Sequence, residues 1–191
     1  MIIDITKELF STPVYPGDPV PSAVQVLGFK KEKPDVCQLT RLSLGSHSGT
    51  HLDAPRHFIP GGADVAHIRL EKCFGLCKVA ACSGPLQPAQ IKSMLEDGTT
   101  RLLLKGDVEI TPEAALVFTQ SSLTTLGVEA NTVGNQVTGP VVHRTLLAAE
   151  IVILENLDLT DAEPGNYLLS ALPLKMDDLD GTPMRAIYAL Y

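Results

Sequence analysis

Apolar residues in this chain come in short runs of four to eight, broken by glycine, proline and asparagine, and few stretches carry a long helical period. Residues 1–6 read as a short buried strand. Residues 23–29 and 38–44 read as two more, the second alternating Thr40, Leu42 and Leu44 against Leu39, Arg41 and Ser43. Further strands are expected at 75–82, 102–104, 123–129, 151–154, 168–172 and 185–191. Three helices separate them. Residues 88–96 have helical spacing with Gly98 as a stop signal, and Thr111-Pro112-Glu113 supplies a cap, a first-turn proline and an acidic residue for a helix to about Gln120. Pro140 opens a third, reaching Glu150. Helices alternating with short apolar strands predict a single α/β domain, and the strand-rich first third argues for a mixed β-sheet with flanking helices.

A proline-rich segment breaks the pattern near the start. Pro13, Pro16, Pro19 and Pro21 stiffen it around Gly17, so it can hold Tyr15 and Asp18 at the mouth of a site with little entropy left to lose. At 191 residues, 45% hydrophobic and 19% charged, the chain can bury a substantial core, and no run approaches the roughly 18 apolar residues of a membrane helix. Met1-Ile2-Ile3-Asp4 lacks the parts of a secretory signal, so a cytoplasmic protein with no membrane partner is expected. The net charge of −7, with Lys and Arg scattered, argues against nucleic acid. Cys37, Cys73, Cys77 and Cys82 form no zinc knuckle and read as buried, reduced thiols.

The chemistry is concentrated between residues 47 and 57. His47, His51, Asp53 and His57 place three of five histidines and one aspartate in eleven residues. Imidazole and carboxylate are ligands that zinc and manganese accept, and the spacing lets two rings and Asp53 converge from one tight segment. Gly49 and Pro55 disfavour a helix, which places the ligands at the end of the 38–44 strand and in the bend after it, with Gly49 and Thr50 shaping that bend. Far along the chain, Glu155 ends the run Ile151-Val152-Ile153-Leu154, where an unpaired carboxylate is costly to bury. His143, twelve residues earlier, lies on the helix that turns back toward it. His67 reads as structural or exposed, and Arg144 and Arg185 as candidates for holding a substrate carboxylate.

The segment His47-Ser48-Gly49-Thr50-His51-Leu52-Asp53-Ala54-Pro55-Arg56-His57 resembles the motif of the cyclase family of metal-dependent hydrolases, which includes bacterial kynurenine formamidases and isatin hydrolases. The resemblance continues through Ile3-Asp4-Ile5, Tyr15-Pro16-Gly17-Asp18-Pro19, His143-Arg144, Ile153-Leu154-Glu155-Asn156-Leu157, Ala171-Leu172-Pro173-Leu174 and Asp180-Gly181 with Pro183 and Arg185-Ala186. It implies the swivelling β/β/α-like fold of that family and a divalent metal, zinc or manganese, at one or two ions per chain. His47, His51 and Asp53 would hold the first ion. His143 and Glu155 would complete a second position, with Asp53 as the bridge.

His57 is implied as the proton-transferring catalytic residue. Water activated at a metal and attacking an amide creates a poor nitrogen leaving group, which departs once protonated. The expected reaction is hydrolysis of a small-molecule amide, an arylformamide of the N-formylkynurenine type first and a cyclic, isatin-like amide as the alternative. Tyr15 stands where formamidases carry tryptophan, and the stretch 127–134 lacks their Gly-Ile-Asp segment. A non-catalytic metal- or ligand-binding protein is the second class of reading, and the family resemblance implies a homodimer or larger homo-oligomer.

Overall fold

The computed structural model describes residues 1–29 and 35–190. In chain order the strands are β1 (Ile2–Asp4), β2 (Ser22–Leu27), β3 (Leu39–Ser43), β4 (His51–Asp53), β5 (Phe74–Ala81), β6 (Gly84–Pro85) and β7 (Arg101–Lys105). They continue with β8 (Val108–Glu109), β9 (Thr125–Val128), β10 (Val152–Glu155), β11 (Gly165–Ser170), β12 (Gly181–Pro183) and β13 (Ile187–Ala189). The helices are α1 (Leu70–Cys73), α2 (Pro88–Leu95), α3 (Pro112–Thr119) and α4 (Gly139–Ala148).

Nine strands form one mixed sheet in the order β1-β13-β11-β5-β7-β9-β10-β4-β12. Its centre, β5-β7-β9-β10, is parallel, and the strands outside it pair antiparallel. Parallel neighbours require crossovers, and α2, α3 and α4 supply them, all on one face. Beyond β1 the chain returns to the middle of the sheet: Thr6 bridges Leu157, and the Asp158 N–H donates to the Ile5 carbonyl at 2.9 Å. The sheet therefore curls around one of its own faces.

This curl explains why the central strands are apolar on both sides. Leu102 and Leu104 pack with Ile91, Phe118, Val142 and Leu146 under the helices, while Leu103 between them joins Ile5, Leu52 and Tyr188 inside the curl. Ile153 faces the helices, and Val152 and Leu154 face the inner core. Side chains alternate across a strand, so two buried faces demand an unbroken apolar run. Among the described residues no helix is long and apolar enough to cross a membrane.

The expected single α/β domain with a mixed sheet is what the structure contains, and several local expectations change. The strands expected at 23–29 and 38–44 exist but pair only with each other, as a ribbon apart from the main sheet and largely exposed. The alternation of the second therefore joins neither core cluster among the described residues. Thr111 caps α3 as expected, accepting the Ala114 N–H at 3.2 Å. The last strand is short, Ile187–Ala189, and Tyr191 lies outside the described residues. All four thiols are free, but only Cys73 and Cys77 are buried; Cys82 is half-buried and Cys37 exposed.

Candidate metal centre

Only part of the ligand segment sits in the bend after β3. His47 lies in the loop, but His51 and Asp53 occupy a strand of their own, β4, held between β10 and β12. Three residues are too few to show a period, which is why the strand is invisible in sequence. Its register sets the site. His51 stands opposite Glu155 and Asp53 opposite Ile153, so both ligand side chains emerge on the helix-covered face, while Leu52 turns into the inner core. Gly49 adopts φ +64°, a conformation costly for a side chain with Cβ, to turn the chain into β4. The Thr50 hydroxyl accepts the Lys7 N–H at 2.8 Å and donates to the Asn156 carbonyl, tying the bend to its neighbours. Pro55 then opens a single tight turn, Pro55–His57, which presents His57.

The rings and carboxylates converge from four elements. His51 Nε2 lies 3.4 Å from Asp53 Oδ1 and 3.4 Å from Glu155 Oε2. His143, reaching in from α4, sets its Nε2 3.5 Å from Asp53 Oδ2 and 3.2 Å from Glu155 Oε1. Each carboxylate thus turns one oxygen to each ring. His47 Nδ1 is 2.8 Å from Asp53 Oδ1. The far nitrogens settle the tautomers: His51 Nδ1 donates to the Gly49 carbonyl and His143 Nδ1 to the Gly139 carbonyl, both at 2.8 Å. A carbonyl can only accept, so the proton of each neutral ring is on Nδ1 and a lone pair faces the carboxylates.

This arrangement fits a divalent cation. Asp53 is fully buried, and its Oδ2 has no hydrogen-bond partner among the described residues. Lone pairs of two imidazoles facing lone pairs of two carboxylates repel each other unless positive charge stands between them. Nitrogen–oxygen separations of 3.2–3.5 Å are short enough for donors on both sides to reach a cation between them, with metal–ligand bonds near 2.1 Å. Without an ion the charge comes from protons. Burial disfavours charge on His51 and His143, yet facing Asp53 and Glu155 raises both to about 10. His47, likewise opposed by burial, is raised to about 9 by Asp180 and Asp53. Burial also works against the Asp53 carboxylate, but the rings of His143, His47 and His51 hold it well below the usual range.

In sequence Asp180 has no role beyond its place in a family-like segment. Its Oδ2 lies 3.0 Å from His47 Nε2 and 3.1 Å from His57 Nδ1, and its Oδ1 accepts the Ser46 hydroxyl at 2.9 Å. These contacts, with His47 foremost, hold the Asp180 carboxyl well below the usual carboxylate range. Gly181 makes room beside it, because a Cβ there would stand 2.5 Å from His47 Cε1.

A cavity of about 240 Å³ opens on the cluster, lined by His47, His51, His57, His143 and Glu155, with Tyr15, Asp18 and Phe58 among its other walls. The proline-rich segment does deliver Tyr15 and Asp18 to the mouth. Arg144 and Arg185 do not line this cavity; Arg185 pairs with Asp4 at the surface. His67 is exposed, with its Nδ1 2.6 Å from Asp64 Oδ1, and lies away from the cluster.

The Cyclase family model matches residues 3–135. This chain belongs to that family. Solved structures extend the likeness in fold past the matched segment, over nearly the whole chain. One, described as a potential metal-dependent hydrolase with cyclase activity, is 25% identical, with a TM-score of 0.75 over 98% of this chain and 96% of its own. A predicted metal-dependent hydrolase from Bacillus stearothermophilus is also 25% identical, with a TM-score of 0.77 over 98% and 97%. Isatin hydrolase A from Labrenzia aggregata, 22% identical, shares the fold with a TM-score of 0.83 over 98% and 93%.

Proposed function

We propose that this cyclase-family protein is a metal-dependent hydrolase of amide C–N bonds in a small aromatic substrate, with cyclic amides of the isatin kind ahead of arylformamides. The observation that carries the metal dependence is the buried, unpartnered Asp53 Oδ2 facing the His143 ring beside Glu155 and His51. His47, His51, Asp53, His143 and Glu155 would hold one or two divalent ions, zinc or manganese. Such an ion supplies Lewis acidity toward a carbonyl and brings the pKa of a water molecule toward neutrality. Similarity to structures described as metal-dependent hydrolases supports this reading.

The chain's own residues supply the remainder. His51 and His143 are held by the Gly49 and Gly139 carbonyls, so their Nε2 atoms need no reorientation to bind a cation. Tyr15 and Phe58 offer aromatic walls to a planar ring. His57, at the cavity wall, would give a proton to the departing nitrogen. The order of substrates rests on the likeness to structures described as isatin hydrolases. That likeness moves the arylformamide expectation to second place.

The test is to strip the purified protein with a chelator, reload it with zinc or manganese, and assay isatin, N-formylkynurenine and simple anilides. One or two ions per chain and metal-restored amide hydrolysis are expected. Stoichiometric metal with no turnover on any amide would favour the binding-protein reading instead. Self-association is proposed with it, supported by the exposed Val24, Val26, Leu39 and Leu42 of the β2–β3 ribbon, and sedimentation analysis decides it.

A further inference from the structure

We propose that Asp180 is a positioning residue that decides which nitrogen His57 and His47 each present, reserving His57 Nε2 for proton exchange with the cavity and His47 Nδ1 for the cation cluster. The catalytic consequence rests on the hydrolase reading above; the His57 tautomer rests on geometry alone, and that of His47 on geometry together with a cation beside Asp53, whose carboxylate would otherwise accept a second proton from Nδ1. A carboxylate has no hydrogen to give, so at one oxygen, Oδ2, both rings act as donors: His57 through Nδ1 at 3.1 Å and His47 through Nε2 at 3.0 Å. The neutral rings then carry their protons on opposite nitrogens. Each nitrogen left with a lone pair is the one its task requires. His47 Nδ1 lies 2.8 Å from Asp53 Oδ1, at the cluster, and His57 keeps Nε2 as its one position free to exchange a proton.

The carboxylate is itself held by parts that have no other evident task. Its Oδ1 takes the Ser46 hydroxyl, and its backbone carbonyl accepts the Ala54 N–H at 2.9 Å. One residue earlier, the Leu179 carbonyl accepts the Val65 N–H at 3.0 Å, and before that the Asp178 N–H donates to buried Asp64 at 2.8 Å. Arg56 reaches the Asp178 carboxylate at 2.8 Å. Residues 54–65, which carry His57, are thus stitched to residues 178–180 at four points. Gly181 follows without a side chain, as the His47 ring demands.

The experiment uses zinc-loaded protein with ¹⁵N-histidine, comparing wild type with Asp180→Asn by two-bond ¹H–¹⁵N correlation, zinc content and hydrolysis of an anilide and an activated ester. Wild-type His57 should show Nδ1–H. The carboxamide accepts through one oxygen and offers hydrogens from its nitrogen, so in Asp180→Asn the His57 signals should move toward the Nε2–H form. Zinc content should stay within twofold, anilide kcat should fall roughly 10- to 100-fold, and the ester should fall far less. Unchanged His57 tautomer, or equal loss on both substrates, overturns the proposal, as does loss of zinc from the folded variant. If wild type hydrolyses neither substrate, the hydrolase reading fails, while the tautomer change still upholds the positioning role. Should Asp180→Asn not fold, Ser46→Ala leaves the carboxylate in place but loosens it. A two- to fivefold loss confined to the anilide is then expected, and equal loss on both substrates overturns the proposal.

Discussion

Glu155 stands directly across the β10–β4 pairing from His51, and the two side chains meet at 3.4 Å on the helix-covered face of the sheet. Adjacent residues then follow from the pleat: Asp53, two positions on, shares that face, and α4 lowers His143 onto it. Four donors from two strands and a helix are therefore gathered by backbone pairing alone, before any ion contributes.

Replacing Glu155 with Gln keeps the shape and the acceptor for the Val133 N–H, which Glu155 Oε1 now receives at 2.7 Å. It removes the negative charge facing both His51 and His143. The variant should fold, and its zinc affinity should fall at least tenfold, about 1.4 kcal/mol. Competition with a chromogenic chelator measures this. Unchanged affinity would remove Glu155 from the ligand set.

His57→Ala should retain the metal and the fold, because His57 is bonded to Asp180; a His57 nitrogen also lies within 4.8 Å of donors of His47 and Asp53, so loss of metal would assign it to the ligand set instead. Amide turnover should drop roughly 100-fold or more, with an activated ester much less affected, since a good leaving group departs unprotonated. Stopped-flow or steady-state rates on the two substrates are compared at equal metal content. Equal slowing would assign His57 to orienting substrate or water.

The metal-free protein should lose stability as pH rises. The folded-state values of His47, at about 9, and of His51 and His143, at about 10, lie above the ordinary 6.5. Their protonated rings therefore contribute stability that is fully present below about pH 6.5 and is lost as pH climbs through 9 to 10. Metal binding must displace those protons, so its affinity should rise over the same window. Thermal unfolding with and without zinc, at pH 6 and pH 9, should show Tm diverging: lower at pH 9 for the metal-free form, and a larger zinc-induced increase at pH 9. A metal-free Tm higher at pH 9 than at pH 6 would contradict the charge assignment.

Gly181→Ala tests the packing behind His47. The new Cβ would stand 2.5 Å from His47 Cε1, so the ring must move and its Nδ1 must leave Asp53. Folding should survive, because β12 is an edge strand whose other side is open. Metal affinity should weaken by tenfold or more, measured by the same chelator competition. Retained affinity would mean that His47 is dispensable for holding the ion.

How much of this was legible in sequence differs from residue to residue. The segment from His47 to His57 announced its chemistry through composition, since three imidazoles and a carboxylate around Gly49 and Pro55 have few other uses. Glu155 was visible because a carboxylate closing an apolar run demands a partner. Thr111-Pro112 located α3 through local capping alone. Asp180 carried no such local signal. Its partners lie 123 and 133 residues away, and an aspartate before a glycine reads as an ordinary turn.

The amino-acid sequence by itself determined the alternation of strands and helices, the doubly apolar central strands and the inventory of ligands, because propensity, caps and burial cost act over a few neighbours. Tertiary structure alone decided that His51 and Asp53 occupy a strand, that the β2–β3 ribbon stands outside the sheet, and that Asp180 serves two histidines at once. Those outcomes depend on register and on which strands become neighbours. Both are set by long-range pairing of β4 with β10 and β12, and three-residue strands leave no periodicity from which that pairing could be read.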